Sequence, residues 1–263
     1  MEPISFEQTL QYIVADFFNT FNIPPISIKY SITDDMAKSY TELRPLHAAK
    51  EPEKIATLNR YNGTTVAPNT VDGMFSVLLN QKYLLESTQQ DNANWVGTIV
   101  HETTHAVDFT NFAALTGAPN YEDILSVSKN AMFQLWTEIN ARSKGYYFVR
   151  KYTFGDDMFN ESQIDDIVNI EIPAQEKLLY QNYHATTDGI EQAYLVSHYL
   201  GRLYTLQQIF PNHFTDKQVK ALIPPNPWMY EWFLFFKSHN TLELAYPDFE
   251  SMKNILRKNF QGL

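Results

Sequence analysis

The spacing of hydrophobic and polar positions divides the N-terminal part of the chain into a helix and short strands. Between residues 5 and 21 the apolar side chains recur every three or four positions, which predicts an amphipathic helix. Two prolines in the segment 22–25 end it. Residues 26–30 alternate like a half-buried strand, and residues 74–83 are rich in β-branched and aromatic side chains. We therefore expect a strand in each of these two segments.

A tight turn is predicted between them. The Asn62-Gly63 pair is typical of a two-residue turn, and it leaves open a hairpin between residues 55–61 and 64–67.

The pattern after residue 90 is almost entirely helical. Asp91, Asn92 and Asn94 are all candidate N-caps for a helix that runs to about Leu115, before a Gly-Ala-Pro break at 117–119. Further helices are predicted over 122–150, 161–182, 188–209, 215–222, 227–238 and 247–260.

These elements together predict an α+β protein, with a small mixed sheet and early helices followed by a mainly α-helical C-terminal half. We expect an N-terminal subdomain over residues 1–116 and a helical subdomain over 117–263, which act as one catalytic unit. The aromatic stretch 226–233 is a conceivable recognition surface, but aromatic residues at helical spacing are more often core, and we expect core here.

Composition narrows the possible chemistry. The 263 residues include seven histidines and no cysteine, which excludes disulfide scaffolds, thiol nucleophiles and cysteine-ligated metal clusters. A metal site would therefore use histidine, carboxylate and water. The formal net charge of −10 argues against a broad surface for binding nucleic acid, because phosphate binding requires clustered lysine and arginine.

No targeting segment is evident. The chain begins without the basic start and unbroken apolar run of a secretory signal. The most apolar short run, residues 232–236, is far too short to cross a bilayer. These observations predict a soluble, cytoplasmic protein with no membrane partner.

One segment has the spacing of a metal site. It reads His101-Glu102-Thr103-Thr104-His105 and lies inside the helix predicted from about residue 92. Histidines four residues apart on a helix share one face and can both bind one Zn²⁺, while the glutamate between them lies beside the metal. The spacing therefore predicts two zinc ligands, His101 and His105, and a general base, Glu102. The alternative is a pair of surface histidines.

The face of this helix adds a candidate supporting residue. Asp108 lies on the same side as the two histidines, three residues after the second. A carboxylate at that position can orient a zinc-binding imidazole by accepting its free ring N–H. A solvated helix carboxylate is the alternative, and the two are left open.

This helix and its surroundings resemble the zincin metallopeptidases, over about residues 70–150. The motif resembles the active-site helix of thermolysin-like enzymes, and the strand predicted at 74–83 resembles the zincin edge strand along which a peptide substrate lies. The order of strand and helices resembles the gluzincin branch, in which a glutamate on a later helix is the third ligand. The resemblance implies a Zn²⁺ cofactor, a peptide or protein substrate and hydrolysis by metal-activated water.

Glu138 is the best candidate for the third ligand that this resemblance implies. It lies in a predicted helix among apolar neighbours, where a carboxylate without a cation would be costly. Arg142, one turn later, would hold that carboxylate or close the site. A metzincin would need a histidine where Asn111 stands, and the fallback ligands are Glu122 and Asp123.

A zincin also needs a donor for the oxyanion that develops on the scissile carbonyl. The helix predicted over 188–209 has a polar stripe that contains Tyr194 and His198, and either is a candidate for this donor. Gly201 in the same helix is expected to allow close approach of another backbone.

The sequence therefore predicts a zinc metallopeptidase of gluzincin type. Two alternatives remain open. One is a catalytically inactive zincin-fold protein with a binding or regulatory role, and the other is a metal-free helical interaction protein. Oligomeric state and cleavage specificity are not predicted.

Overall fold

The computed structural model describes residues 5–90 and 92–259, without the side chains of residues 127–129. It confirms the α+β class, with mostly helical secondary structure and a small mixed sheet of three strands. The chain forms two compact units, Met1–Ser126 and Val127–Leu263.

The first unit contains the sheet. Its elements are α1 (Phe6–Thr20), β1 (Ile28–Thr33), α2 (Met36–Leu43), α3 (Pro45–Lys50), α4 (Pro52–Thr57), β2 (Gly63–Val66), β3 (Phe75–Asn80), α5 (Gln81–Gln89), α6 (Asn94–Thr116) and α7 (Tyr121–Leu125).

The regular secondary structure in the described residues of the second unit is helical. Its helices are α8 (Val127–Phe154), α9 (Ile164–Asp166), α10 (Ile172–Tyr183), α11 (Gly189–Ile209), α12 (Asp216–Leu222), α13 (Pro227–Ser238), α14 (Leu242–Ala245) and α15 (Phe249–Arg257).

Strand β3 is the centre of the sheet and not its edge. It pairs in parallel with β1, where Ile28 faces Phe75, and antiparallel with β2, where Gly63 faces Leu79. All its residues from 75 to 79 are buried. The expectation of an edge strand at 74–83 is therefore wrong, and an apolar run without alternation is the usual mark of a strand covered on both faces.

The strand β3 is also shorter than the sequence predicted. The side chain of Asn80 accepts hydrogen bonds from the backbone N–H groups of Lys82 and Tyr83, and this N-cap turns the chain into α5. The hairpin left open between 55–61 and 64–67 does not form, because α4 begins at Pro52 and β2 pairs with β3.

Most of the predicted helices agree with the observed ones to within a few residues. The clearest exception is 161–182, where short 3₁₀ turns, α9 and a π-helical turn over Ile167–Glu171 precede α10. The aromatic stretch is core as predicted, since Trp228, Met229, Trp232 and Phe233 are all buried.

The helices α8 and α11 approach each other closely at Gly201. A Cβ atom at Gly201 would lie 2.7 Å from the carbonyl oxygen of Ile139 and 2.9 Å from Cβ of Arg142. The hydroxyl of Thr205, one turn later, donates to the Ser143 carbonyl at 2.8 Å. The predicted role of Gly201 is thus confirmed, and it fixes the distance between the two helices beside Glu138.

None of the helices in the described part of the chain has the length and apolar character needed to cross a membrane.

Candidate metal site

Helix α6 carries the His-Glu-Thr-Thr-His segment in its middle. Residues 101–104 are buried and His105 is half-buried. The N-cap of the helix is Ala93, so the prediction of Asn92 or Asn94 as the N-cap is wrong, and Asp91 lies outside the described residues. The side chain of Asn92 accepts from the backbone N–H of Asn94. Gly117 ends the helix in the left-handed conformation, with φ of 64°.

The two histidines converge on one point. The Nε2 atoms of His101 and His105 lie 3.1 Å apart, and the ring planes are almost perpendicular, at 89°. Two nitrogen ligands on a tetrahedral zinc, each about 2.0–2.1 Å from the metal, are separated by roughly 3.3 Å. The observed pair therefore fits a shared metal ion closely.

The Glu102 carboxylate is held by a residue from the sheet. The hydroxyl of Thr65 on β2 lies 2.8 Å from Glu102 Oε2 and 2.8 Å from the Glu102 backbone oxygen. Gly63, two residues earlier, lets β2 lie against α6, because a Cβ there would meet Thr98 Cγ2 at 2.9 Å and Glu102 Cγ at 3.0 Å. The central glutamate of the motif is thus fixed in orientation by β2.

Glu138 lies on α8 with its side chain only 4% exposed. Its Oε1 atom is 2.6 Å from Nε2 of His198 on α11, and Nδ1 of His198 is 2.6 Å from an amino nitrogen of Arg142. A direct ion pair between Glu138 and Arg142, one of the two roles expected for Arg142, is absent from the described residues, because His198 stands between the two side chains.

This arrangement determines the protonation state of His198. Burial, together with the charge of Arg142, lowers the pKa of His198 to about 4, so the ring is neutral at pH 7. Since the guanidinium can only donate, Nδ1 accepts from Arg142, and Nε2 faces Glu138 Oε1. His198 therefore lies directly against the Glu138 carboxylate.

The three predicted ligand residues each offer one ligand atom, His101 and His105 from the first unit and Glu138 from the second. Two imidazoles and one carboxylate, with room for water, form a donor set typical of catalytic zinc. The chemistry of these residues fits a zinc ion.

Comparison with known proteins gives no assignment. No family model, curated protein or solved structure matches the chain. The chemical interpretation depends on the residues themselves.

The other predicted site residues occupy varied surroundings. Asp108 is buried on α6, and Tyr194 is 37% exposed with its ring centroid 4.6 Å from that of His198. The fallback ligand Glu122 instead binds Arg44 at 2.7 Å and Lys50 at 2.8 Å. These ion pairs occupy both of its oxygens.

Two contacts of α6 were not foreseen from the sequence. One is the Thr65–Glu102 hydrogen bond, and the other joins the Tyr30 hydroxyl on β1 to Oγ1 of Thr103 at 2.7 Å. Thr65 follows a Gly-Thr pair in a segment of strand-forming residues, which is a signal for a strand. Nothing in the local sequence indicates that this strand lies against α6.

Proposed function

We propose that the protein is a zinc-dependent metallopeptidase of gluzincin type, with a zincin-like arrangement of sheet and active-site helix. The observation that carries the proposal is the 3.1 Å separation of the His101 and His105 Nε2 atoms on one helix, with Glu102 between them. Glu138 completes the proposed ligand set, and the substrate is a peptide or a protein.

Each residue of the site has a chemical task in this proposal. When bound, zinc would polarise the scissile carbonyl and lower the pKa of a coordinated water from about 15.7 to roughly 7. Glu102, oriented by Thr65, accepts the proton of the attacking water and passes it to the leaving amine. Asp108 would orient a ligand imidazole, and Tyr194 remains the proposed oxyanion donor, because both ring nitrogens of His198 are engaged.

The strand that would hold the substrate is β2. It lies at the edge of the sheet and packs on α6 beside Glu102. The Asn80 N–H donates to the Asn62 carbonyl, and the alternation of antiparallel pairs then directs the backbone groups of Gly63 and Thr65 away from β3. An extended peptide could add to this edge by main-chain hydrogen bonds.

The test separates metal binding from catalysis. We expect protein purified without added zinc to contain close to one equivalent of the metal, measured by plasma mass spectrometry, and to cleave a mixed peptide library until a chelator is added. Glu102→Gln should keep the zinc and lose at least about 100-fold in turnover. His101→Ala should lose both, while His184→Ala, an exposed histidine without an assigned role, should lose neither.

Each of the other outcomes contradicts part of the proposal. Cleavage by Glu102→Gln at the parental rate would remove the assigned base. Bound zinc without cleavage would favour a binding or regulatory protein. Less than about half an equivalent of zinc would favour a metal-free interaction protein.

A further inference from the structure

The sheet of the first unit has a free edge at β1. The strand order is β1-β3-β2, so β1 has a neighbouring strand on one side only. Alternate residues of a strand in a parallel pair direct their backbone N–H and C=O groups away from the partner strand. Within the described residues, the outward backbone groups between Ile28 and Ile32 take part in no other hydrogen bond. This edge is therefore open to pairing with another strand.

A mainly apolar groove lies between β1 and α1. Its volume is about 690 Å³. Ile28, Tyr30 and Ile32, which share one face of β1, form part of one wall, and Leu10 and Phe18 of α1 form part of the other. The groove therefore follows the free edge of the sheet.

The position of α6 over the sheet is fixed by contacts with both outer strands. Thr65 on β2 bonds to the Glu102 side chain, and the Tyr30 hydroxyl on β1 lies 2.7 Å from Oγ1 of Thr103. Since β3 lies between β2 and β1, α6 is centred over β3.

Helix α1 lies further out than the sheet extends. It packs on α6, where the ring centroids of Phe6 and Trp95 are 5.7 Å apart, and it faces β1 across the groove. Packed helices are about 8–10 Å apart, whereas neighbouring strands are about 4.8 Å apart. Two strand spacings from β3 therefore bring α1 over the position next to β1. A fourth strand of the sheet would lie at this position.

We propose that the groove binds an extended segment of another protein, which pairs with β1 as a fourth strand and packs against α1. Alternate apolar side chains of the segment enter the groove, while its main chain bonds to β1. The strand wall from Ile26 to Ile32 and the helix wall from Phe6 to Asn19 are both about 20 Å long, which suits about six or seven extended residues. A basic residue beside the segment suits Glu7, the only charged residue among the described residues that line the groove.

A peptide fits this site better than a lipid chain does. An alkyl chain would fill the groove but would leave the outward backbone groups of β1 without partners, whereas a strand satisfies both. The site is also distinct from the proposed substrate strand, because β2 forms the opposite edge of the sheet. The inference therefore does not depend on the proposed function.

The test is a binding measurement made in the presence of a chelator, so that metal-dependent cleavage cannot consume the probe. A fluorescently labelled octapeptide of alternating valine and threonine, with a lysine added at each end, is titrated by anisotropy into the full chain. Two further versions carry N-methyl groups on alternate residues, one on the valines and the other on the threonines. We expect one version to bind at least about tenfold more weakly and the other to bind like the parent peptide, because only one set of N–H groups faces β1.

Two variants locate the site on the protein. Ala15→Trp should abolish binding, because Ala15 is an exposed residue that lines the groove and the larger side chain would fill it. Tyr12→Trp, at a position of α1 that is 67% exposed and does not line the groove, should preserve binding. The comparison of the N-methylated peptides uses the parent protein, so it decides the matter even if Ala15→Trp does not fold.

Each of the other outcomes overturns the inference. Equal binding of the two N-methylated peptides would show that no strand is added, and binding that Ala15→Trp leaves unchanged would place the peptide elsewhere. Dodecanoate that displaces the peptide with equal or higher affinity would mark a lipid site. A dimer that Ala15→Trp dissociates in sedimentation velocity would assign the groove to a second copy of the chain. None of these results requires zinc or turnover, so they are separable from a failure of the proposed function.

Discussion

At the scale of single residues, the most informative contact is the one between Thr65 and Glu102. A general base must point at the water from which it takes a proton, and a glutamate side chain has three rotatable bonds. The Thr65 hydroxyl, 2.8 Å from Oε2, restricts those rotations without touching either histidine. Metal binding and catalysis should therefore respond differently to changes at Thr65.

Thr65→Val should reduce turnover and leave zinc binding intact. Valine keeps the shape and strand propensity of threonine but cannot donate a hydrogen bond to the carboxylate. We expect kcat to fall by about 10–100-fold, as is usual when a group that orients a metal site is removed, with the zinc content unchanged. Thr65→Ser, which restores the hydroxyl, should recover most of the activity. A drop in zinc content that matches the drop in kcat would contradict this role.

Some site residues can be recognised from the sequence and others cannot, depending on whether their signal is local in the chain. His101, Glu102 and His105 can be recognised from the sequence because they occupy four consecutive helical steps. The indirect contact of Glu138 with Arg142 through His198 cannot be recognised in this way, because it depends on the pairing of α8 with α11. The spacing of Glu138 and Arg142 in the sequence suggests a direct ion pair instead.

At the scale of elements, the bounds of the long helices are predicted better than the order of the strands in the sheet. The bounds of α1, α11 and α13 follow from apolar periodicity, prolines and caps, which are all local signals. The sheet order depends on which segments meet. The central position of β3 is indicated only by the lack of alternation in its apolar run, whereas the zincin resemblance favours an edge strand.

Gly201→Ala should separate α8 from α11. The added Cβ would lie 2.7 Å from the Ile139 carbonyl oxygen, which is part of a helix backbone and cannot give way. We expect the free energy of unfolding to fall by about 1–3 kcal/mol in urea denaturation, despite the better helix propensity of alanine. Gln208→Ala, at an exposed position of the same helix, should be neutral or slightly stabilising. A Gly201→Ala protein as stable as the parent would show that the contact is not tight.

At the scale of the whole molecule, the acidic balance of the chain makes its response to low pH informative. Most of the 30 acidic residues are expected to affect stability only through the overall charge. Glu122 is different, because it joins Arg44 and Lys50 of the first unit and lies close to His47. The hydrogen bond from Lys50, assisted by His47, lowers the pKa of Glu122 to about 2.

Glu122→Gln should therefore be destabilising in a pH-dependent way. A carboxyl group whose pKa is lower in the folded state than in the unfolded state stabilises the fold above its unfolded pKa, and this contribution disappears as the pH falls through the folded pKa. The difference in the free energy of unfolding between parent and variant should be constant above about pH 5 and shrink towards zero near pH 2. Urea denaturation across this range measures it. A difference that does not change with pH would assign the effect to packing.

The connectivity of the first unit has a consequence for the order in which the protein matures. The two histidines are four positions apart on α6, so they come into register as soon as that helix forms. Thr65 and Glu102 are separated by 37 positions, and β2 must first pair with β3 before the hydroxyl reaches the carboxylate. On the proposed function, a newly synthesised chain would hold its two histidines in register before its base is fixed, and so would remain inactive towards neighbouring proteins until the sheet has closed.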